Sequence, residues 1–281
     1  MKKILFFLFL SVGTMQAQSE DDMITFDFSA DYKPAEITFM DGHKENGFIY
    51  GFIDNTFFTF DPSSLISGFK SIESSVNLND KHFDFKNSLE GSARKLTVAD
   101  IKNVLVTKQS GNVEYGYYHI KTANAKGEIV DTKKSAWLPF IKKDKIDILG
   151  YNYFQKSPGT LSELLFTPVY LHRNNEDFVI VPIDFNGINL FSFGKIDEKF
   201  MGAITEVFKD CPVLIEKMKS DAVAKKPLFD YDTLKEDLKE LKKTSKDLPK
   251  KERKKLKDDL QSAYNIQPYI NLINQYKISC P

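Results

Sequence analysis

The front half of the chain alternates between apolar and polar positions with the period of β-strands. Between residues 35 and 60 the pattern is clearest over 48–53, where aromatic residues and isoleucines fall on opposite sides of an extended chain. Asp41-Gly42 and Asn46-Gly47 predict tight turns in this region, because Gly and Asn tolerate the positive φ that such turns require. We therefore expect short antiparallel strands joined by hairpins.

The same pattern recurs along the next 130 residues. Turns are predicted at Ser110-Gly111-Asn112, Lys126-Gly127 and Asn186-Gly187. The predicted strands are Val104–Val106, Tyr115–Ile120, Ile129–Val130, Trp137–Ile141, Ile146–Phe154, Val169–Arg173 and Phe178–Ile183. This succession is typical of an antiparallel meander or a partly closed sheet.

The period changes near Asp197, where apolar residues begin to recur at three- and four-residue steps. One helix is expected to end near Lys209 and another to begin around Cys211, because Pro212 fits the first turn of a helix better than its interior. A final short helix is predicted after Pro268. The C-terminal part is therefore a helical tail.

A charged segment at about 230–261 interrupts this apolar pattern. From Thr233 to Leu260 there are 11 Lys or Arg and 7 Asp or Glu, with a narrow seam of leucines and a break near Pro249. Such a seam predicts a solvated helical hairpin that projects from the body or lies lightly on it.

The fold class that follows is α+β, with an antiparallel β-rich N-terminal part packed with a C-terminal helical tail. We divide the chain into a signal peptide over 1–17, a β-rich domain over 18–196 and the helical tail over 197–281. No repeat or low-complexity linker separates the last two parts, which favours one composite unit.

The first residues predict export. Lys2 and Lys3 precede an apolar run from Ile4 to Leu10, and small residues lead to Ala17, so cleavage is expected between Ala17 and Gln18. The run is much shorter than the roughly 20 residues that a transmembrane helix needs. We expect an exported protein, periplasmic or secreted, with no transmembrane segment in the mature chain.

Two cysteines in an oxidising compartment predict one disulfide, Cys211 to Cys280, which would contribute about 4 kcal/mol through loop entropy. The alternative is that Cys211 is a nucleophile at a helix N-terminus, where the dipole stabilises a thiolate. The disulfide is the preferred interpretation, because no histidine lies nearby in sequence.

Motifs of the well-known enzyme classes are absent from the sequence, and no cofactor is expected. The best metal candidate is Asp80, His82 and Asp84, because residues two apart on a strand share a face. The preferred alternative is a solvated face of an edge strand, with Phe83 and Phe85 pointing inward. The isolated histidines His43, His119 and His172 are interpreted as turn or strand residues.

The charge of the chain restricts the macromolecules that it is expected to bind. The chain has 39 basic and 39 acidic residues, and the basic stretch from Lys250 to Lys257 contains no aromatic residue for base stacking, so nucleic acid is not expected. The six basic residues of this stretch could meet an anionic surface or an acidic envelope protein. A solvated helix face is the simpler interpretation. The six are Lys250, Lys251, Arg253, Lys254, Lys255 and Lys257.

Six segments scattered over the chain carry a resemblance to known proteins. They are residues 37–42, Gly47-Phe48-Ile49, residues 96–102, Tyr170-Leu171-His172-Arg173, Phe208-Lys209-Asp210-Cys211-Pro212 and residues 270–276. In these segments the chain resembles uncharacterised exported proteins of Gram-negative bacteria, which pair a β-rich front half with a helical tail containing Asp-Cys-Pro. The resemblance implies the architecture and export, and it implies no catalytic residue.

Three functional hypotheses follow. The first is a non-enzymatic periplasmic or cell-envelope module whose sheet or charged hairpin binds another macromolecule. The second is a small-molecule-binding protein with an aromatic-lined β cavity, motivated by 24 Phe and 12 Tyr. The third is a hydrolase or metalloenzyme built on the Asp80, His82 and Asp84 cluster.

Overall fold

A computed structural model describes residues 32–50, 57–59, 71–72, 81–108, 111–151, 153–156, 163–183, 196–223 and 231–280. The strands in these ranges are β1 Lys33–Phe39, β2 Lys44–Tyr50, β3 Phe57–Thr59, β4 Ser71–Ile72, β5 His82–Lys86, β6 Arg94–Thr97, β7 Ile101–Lys108, β8 Gly111–Ala123, β9 Ile129–Lys142, β10 Ile146–Gly150, β11 Tyr153–Lys156, β12 Glu163–Phe166, β13 Val169–Arg173 and β14 Phe178–Val181. The helices are α1 Ile196–Val207, α2 Pro212–Val223, α3 Tyr231–Thr244 and α4 Lys250–Ser279. The predicted α+β class, with a β-rich front and a helical tail, is confirmed.

Five strands close into a small barrel. Antiparallel pairing runs in the order β14, β13, β10, β9, β8, and β14 then pairs with β8 in parallel, with Phe178 opposite His119 and Val181 opposite Thr122. The predicted sheet is therefore fully closed at this end, and its closing pair is parallel where the rest of the barrel is antiparallel. Closure removes the free edges that an open sheet would leave.

The outer strands extend the sheet from β8 in the order β7, β1, β2, β5, β6. Their buried side chains form a separate core that includes Ile37, Ile49, Phe85 and Val104. Trp137 of β9 joins this core and meets Phe83 edge to face, with ring centroids 5.8 Å apart. The long β8–β9 hairpin thus belongs both to the barrel and to the outer sheet. A smaller sheet of β12, β11, β3 and β4 is also present.

The helices cover one outer face of the barrel. Alternate residues of β10 and β13, such as Ile148 and Leu171, pack against the stripe of α1 and the end of α4, which includes Ile204 and Ile273. The intervening residues of the same strands therefore face the barrel lumen, because successive strand residues point to opposite faces. Every residue of β10 is buried, since both of its faces are packed.

Two of the predicted turns are confirmed and one is wrong. Gly42 and Gly127 have φ of 89° and 78° and lie in the β1–β2 and β8–β9 connections. Asn46-Gly47 instead lies inside β2. A Cβ at Gly47 would lie 2.5 Å from the Phe85 ring and 2.2 Å from the Lys86 carbonyl oxygen, so this glycine makes room for a neighbouring strand. The Asn186-Gly187 turn lies outside the described residues.

Two predicted strand boundaries also change. Ile129–Val130 and Trp137–Ile141 are parts of one strand, β9, because a bulge at Thr132 and Lys133 carries the pairing through the polar segment between them. The predicted strand Ile146–Phe154 is instead two strands, β10 and β11, which belong to different sheets.

The predicted helices are present with one difference. The apolar stripe of α1 is buried, α1 ends at Val207, α2 begins at Pro212 and α4 begins directly after Pro249. The predicted short helix after Pro268 is wrong, because α4 runs through this proline without interruption. A proline inside a helix removes one hydrogen bond. Burial of the apolar residues that follow it, among them Tyr269 and Ile273, offsets that loss.

The predicted signal peptide and its cleavage at Ala17 and Gln18 lie outside the described residues, and the predicted domain limits stay predictions. In the part of the chain that the structure covers, we find no helix that is both long and apolar enough to span a membrane.

Helix α1 approaches the β8–β9 turn closely through two glycines. A Cβ added to Gly202 would lie 2.1 Å from the carbonyl oxygen of Gly127, which is too short for any real contact. The backbone of the turn cannot withdraw without disturbing the hairpin. The contact therefore sets how α1 lies on the barrel.

We expect Gly202→Ala to lower the free energy of unfolding by about 1–3 kcal/mol, as overpacking does. This direction is opposite to helix propensity, which favours Ala over Gly by about 1 kcal/mol. Urea denaturation of Gly202→Ala, with the exposed α2 substitution Ser220→Ala as the control, measures the difference. A stabilised Gly202→Ala protein would mean that the contact tolerates a methyl group.

Candidate functional site

Two of the proposed metal ligands, His82 and Asp84, lie on β5, between β2 and β6 rather than at a sheet edge. His82 is exposed and Asp84 is half-buried, while Phe83 and Phe85 are buried as the solvated-face interpretation expects. Asp80 lies outside the described residues. Among the residues that are described, no group of three His, Cys, Asp or Glu could hold a metal ion. The three-residue site therefore stays a prediction without structural support.

Two of the isolated histidines have local carboxylate partners. His43 lies in the β1–β2 turn, stacks on Phe39 and is hydrogen-bonded to Asp41, which raises its pKa. His119 lies on β8, with Nε2 2.7 Å from the Asp131 carboxylate at the bulge of β9. Both histidines stabilise turns or strand irregularities.

The third histidine belongs to a buried pair in the barrel. Asp147 of β10 and His172 of β13 are directly opposite in the strand register and are only 7% and 6% exposed. The distance from His172 Nδ1 to Asp147 Oδ2 is 3.2 Å, and His172 Nε2 lies 2.9 Å from the carbonyl oxygen of Glu176. By strand alternation both side chains face the lumen.

Both ring nitrogens of His172 therefore face acceptors. Nε2 can donate to the Glu176 carbonyl, and Nδ1 lies at hydrogen-bond distance from the Asp147 carboxyl. Asp147 Oδ1 also accepts the backbone N–H of Asp144. The arrangement leaves His172 no ring nitrogen with which to take a proton from a substrate, and the pair joins β10, β13 and the turn after β13.

Tyr118 of β8 covers this pair from across the lumen. Its ring centroid lies 4.4 Å from that of His172. Burial, followed by the charges of Asp147 and Glu114, raises the pKa of Tyr118 to about 12. The phenol therefore stays protonated at physiological pH and is a hydrogen-bond donor rather than a base.

A second cluster, which we call the clasp, joins the helical tail to the barrel. It consists of Arg173, Asp210, Cys211, Tyr276 and Cys280. The disulfide between Cys211 and Cys280 is present, so the alternative of a free reactive thiol at Cys211 is wrong in this structure. The bridge closes a separation of 69 residues, which corresponds to about 4 kcal/mol of loop entropy.

Charged hydrogen bonds surround the disulfide. Arg173 donates two hydrogen bonds to the Asp210 carboxylate, at 2.9 and 2.8 Å, and a third to the carbonyl oxygen of Val207 near the end of α1. Tyr276 donates to the same carboxylate at 2.8 Å. The Arg173 guanidinium, helped by the Tyr276 hydroxyl, holds the pKa of Asp210 well below its usual range.

The last turns of α4 have further polar contacts with the β9–β10 connection. Lys277 donates to the Asp144 carboxylate at 2.8 Å, which lowers the pKa of Asp144. Lys145 donates to the carbonyl oxygen of Cys280 at 2.8 Å. The end of α4 is therefore held by the disulfide, by one ion pair and by a hydrogen bond from Lys145.

The charged hairpin is formed by α3 and the first half of α4. We call residues 242–257 the hairpin tip, which contains nine Lys or Arg and two Asp or Glu. Eight of the nine bases are exposed, and Lys255 is half-buried. Leu248 and Leu256 are each 38% exposed between these bases. At the base of the tip, Tyr264 donates to Asp237 at 2.6 Å and joins the two helices.

Comparison with known protein families, curated proteins and solved structures finds no match to this chain. The resemblance noted from the sequence therefore stays an expectation.

The sequence analysis did not identify Asp147, Arg173 or Tyr276 as candidate site residues. A signal existed for Asp147, because it interrupts an otherwise apolar run, as His172 does on its own strand. Two polar residues in wholly buried strands indicate a mutual contact, since a buried polar group needs a partner. The hydrogen bonds of Arg173 to Val207 and Asp210 span 34 and 37 residues and have no such local signal.

For the lumen pair, we expect Asp147→Leu to lower the free energy of unfolding by about 3–5 kcal/mol, because it leaves a buried imidazole without its carboxyl partner. The double variant, Asp147→Leu with His172→Leu, should lose clearly less stability than the sum of the losses in the two single variants. A double-mutant cycle by urea denaturation measures this coupling. Additive losses would show that the two groups do not stabilise each other.

For the clasp, the lowered pKa of Asp210 determines how the stability of the protein changes with pH. Its contribution to stability is complete above its ordinary value of 3.8 and is lost as the pH falls below that value. Because the Asp210 side chain is 46% exposed, solvent screening reduces this contribution to about 1–2 kcal/mol.

Asp210→Asn should therefore be less stable than the parent at neutral pH, and the difference should shrink in acid. Chemical denaturation between neutral pH and pH about 3 measures this difference. The exposed α2 substitution Glu216→Gln, which removes a carboxylate away from the clasp, is the control. A difference that does not change with pH would contradict the ion-pair assignment.

Proposed function

We propose that this chain is an exported, non-enzymatic component of the cell envelope, periplasmic or secreted, which binds another envelope component through its charged helical hairpin. The observation that carries the proposal is the hairpin tip, where nine bases accompany two acids over 16 residues on an exposed surface. A surface with a large excess of positive charge favours encounter with a partner of negative charge.

Export is supported by the charged and apolar residues at the start of the chain and by the Cys211–Cys280 disulfide. Disulfides persist in oxidising compartments and are rare in the cytosol of most organisms. The resemblance to exported proteins of Gram-negative bacteria supports the same location.

The two alternative functions gain less support from the described residues. The lumen-facing Leu138, Leu149 and Val179 are fully buried in one apolar cluster, which is the packing of a core. Both ring nitrogens of His172 are engaged, which disfavours it as the base of a hydrolase. An interaction module therefore agrees best with the geometry.

The test is site-specific photocrosslinking in the native envelope. A photoreactive residue at Lys246, in the tip, should give an adduct that is absent when the same residue replaces Lys219, an exposed position on α2. The intact mass of the recovered protein should also match a chain that begins at Gln18, as export predicts. Equal adducts at both positions, or none at Lys246, would contradict the proposed binding surface.

A further inference from the structure

The hairpin tip combines positive charge with exposed leucines and lacks aromatic residues. Of its nine bases, only Arg253 is an arginine. Protein interfaces are enriched in aromatic residues and arginine and depleted of lysine, and their energetic centres are most often Trp, Tyr or Arg. Lysines are compact, strongly hydrated charges, which suit a diffuse anionic surface better than a shaped protein partner.

The two leucines supply the apolar component of such a contact. Leu248 lies in the connection between α3 and α4, and Leu256 lies in the second turn of α4, so both are within the basic segment. A basic segment with exposed apolar residues is the pattern of a peptide that lies at a lipid interface, where the bases meet headgroup phosphates and the apolar groups enter the acyl boundary.

The charge of the rest of the chain favours one orientation. The whole chain carries 39 bases and 39 acids, so removing the tip leaves 30 bases and 37 acids elsewhere. The tip is positive by seven and the remainder negative by seven. An anionic surface therefore attracts the tip and repels the remainder, although the complete chain has no net charge.

Much of α4 separates the start of the tip from the buried C-terminal part of the helix. Lys250 is 19 residues before Tyr269, the first of the buried aromatic residues of α4, which corresponds to roughly 28 Å along a helix axis. The screening length at physiological salt is about 8 Å, so charges around Tyr269 barely weaken the attraction of the first turn of α4.

We propose that the hairpin tip is a docking site for an anionic lipid surface, with phosphate-bearing headgroups contacting its lysines and Leu248 and Leu256 entering the interface. This inference rests on the proposed function and names the partner of the same hairpin. The surface is recognised by its charge density and not by a particular headgroup.

The test uses the purified chain and vesicles of phosphatidylglycerol with phosphatidylcholine, and vesicles of phosphatidylcholine alone. Co-sedimentation should occur with the first and not with the second, and it should weaken with added salt. Combined Lys242→Gln, Lys250→Gln and Lys257→Gln substitutions should weaken binding by about 100-fold, at about fivefold for each charge. These three lysines are exposed, and the substitutions do not touch the barrel.

The control removes the same charge from exposed positions away from the tip, with Lys95→Gln, Lys102→Gln and Lys219→Gln. Binding should be unchanged or slightly weaker in this variant. Leu248→Gln with Leu256→Gln should weaken binding about tenfold, because each half-exposed leucine loses part of its burial in the interface. Circular dichroism confirms that each variant keeps its helices.

Binding that is absent, that is equal on both kinds of vesicle, or that falls equally in the two lysine variants would overturn lipid docking. If the Lys246 photocrosslink then recovers an envelope protein, the proposed function stands and only the lipid partner is wrong. If neither vesicle binding nor a crosslink is found, the interaction function of the hairpin is wrong as well.

Discussion

The parallel pairing of β14 with β8 is the contact on which the rest of the structure depends. It joins residues about 60 positions apart, such as Phe178 and His119, and turns an open meander into a closed barrel. Closure gives β10 and β13 two packed faces, one toward the lumen and one toward the helices. Without it, the apolar stripes of α1 and α4 would have no continuous surface to cover.

The barrel and helices are then held together by two polar arrangements in different environments. Inside, Asp147 and His172 satisfy each other where water is excluded, so the loss of either partner alone is costly. Outside, Arg173 and Asp210 are partly solvated and stand beside a covalent bridge. The second arrangement tolerates screening because the disulfide keeps its groups close together.

Local sequence patterns correctly predicted the strands, helices and turns that depend on interactions between neighbouring residues. The strand at Val169–Arg173, the change of period near α1 and the turns at Gly42 and Gly127 are all settled by neighbouring residues. Barrel closure depends on a long-range register, which no local period records. Gly47 was misread because a glycine that makes room for Phe85 looks the same in sequence as a glycine that makes a turn.

In the candidate site, too, local features were predictable from the sequence and long-range contacts were not. Two cysteines were enough to predict the clasp disulfide, and composition alone located the charged hairpin. The partners of Arg173 come from α1 and the α1–α2 connection, and Tyr276 of α4 joins them through the Asp210 carboxylate, so the cluster exists only after the tail has docked. Pro268 was interpreted as a helix boundary because the sequence shows that a proline removes a helical hydrogen bond. The sequence does not show that the residues after Pro268 are buried, which offsets that loss.

The unbroken course of α4 also has a mechanical consequence. Its first turns form the hairpin tip, and its last residue precedes Cys280, which is bonded to Cys211 at the start of α2. A force applied at the tip is therefore carried along a single 30-residue rod to a covalent anchor beside the barrel. The end of the helix opposite the tip is therefore fixed by a covalent cross-link as well as by packing.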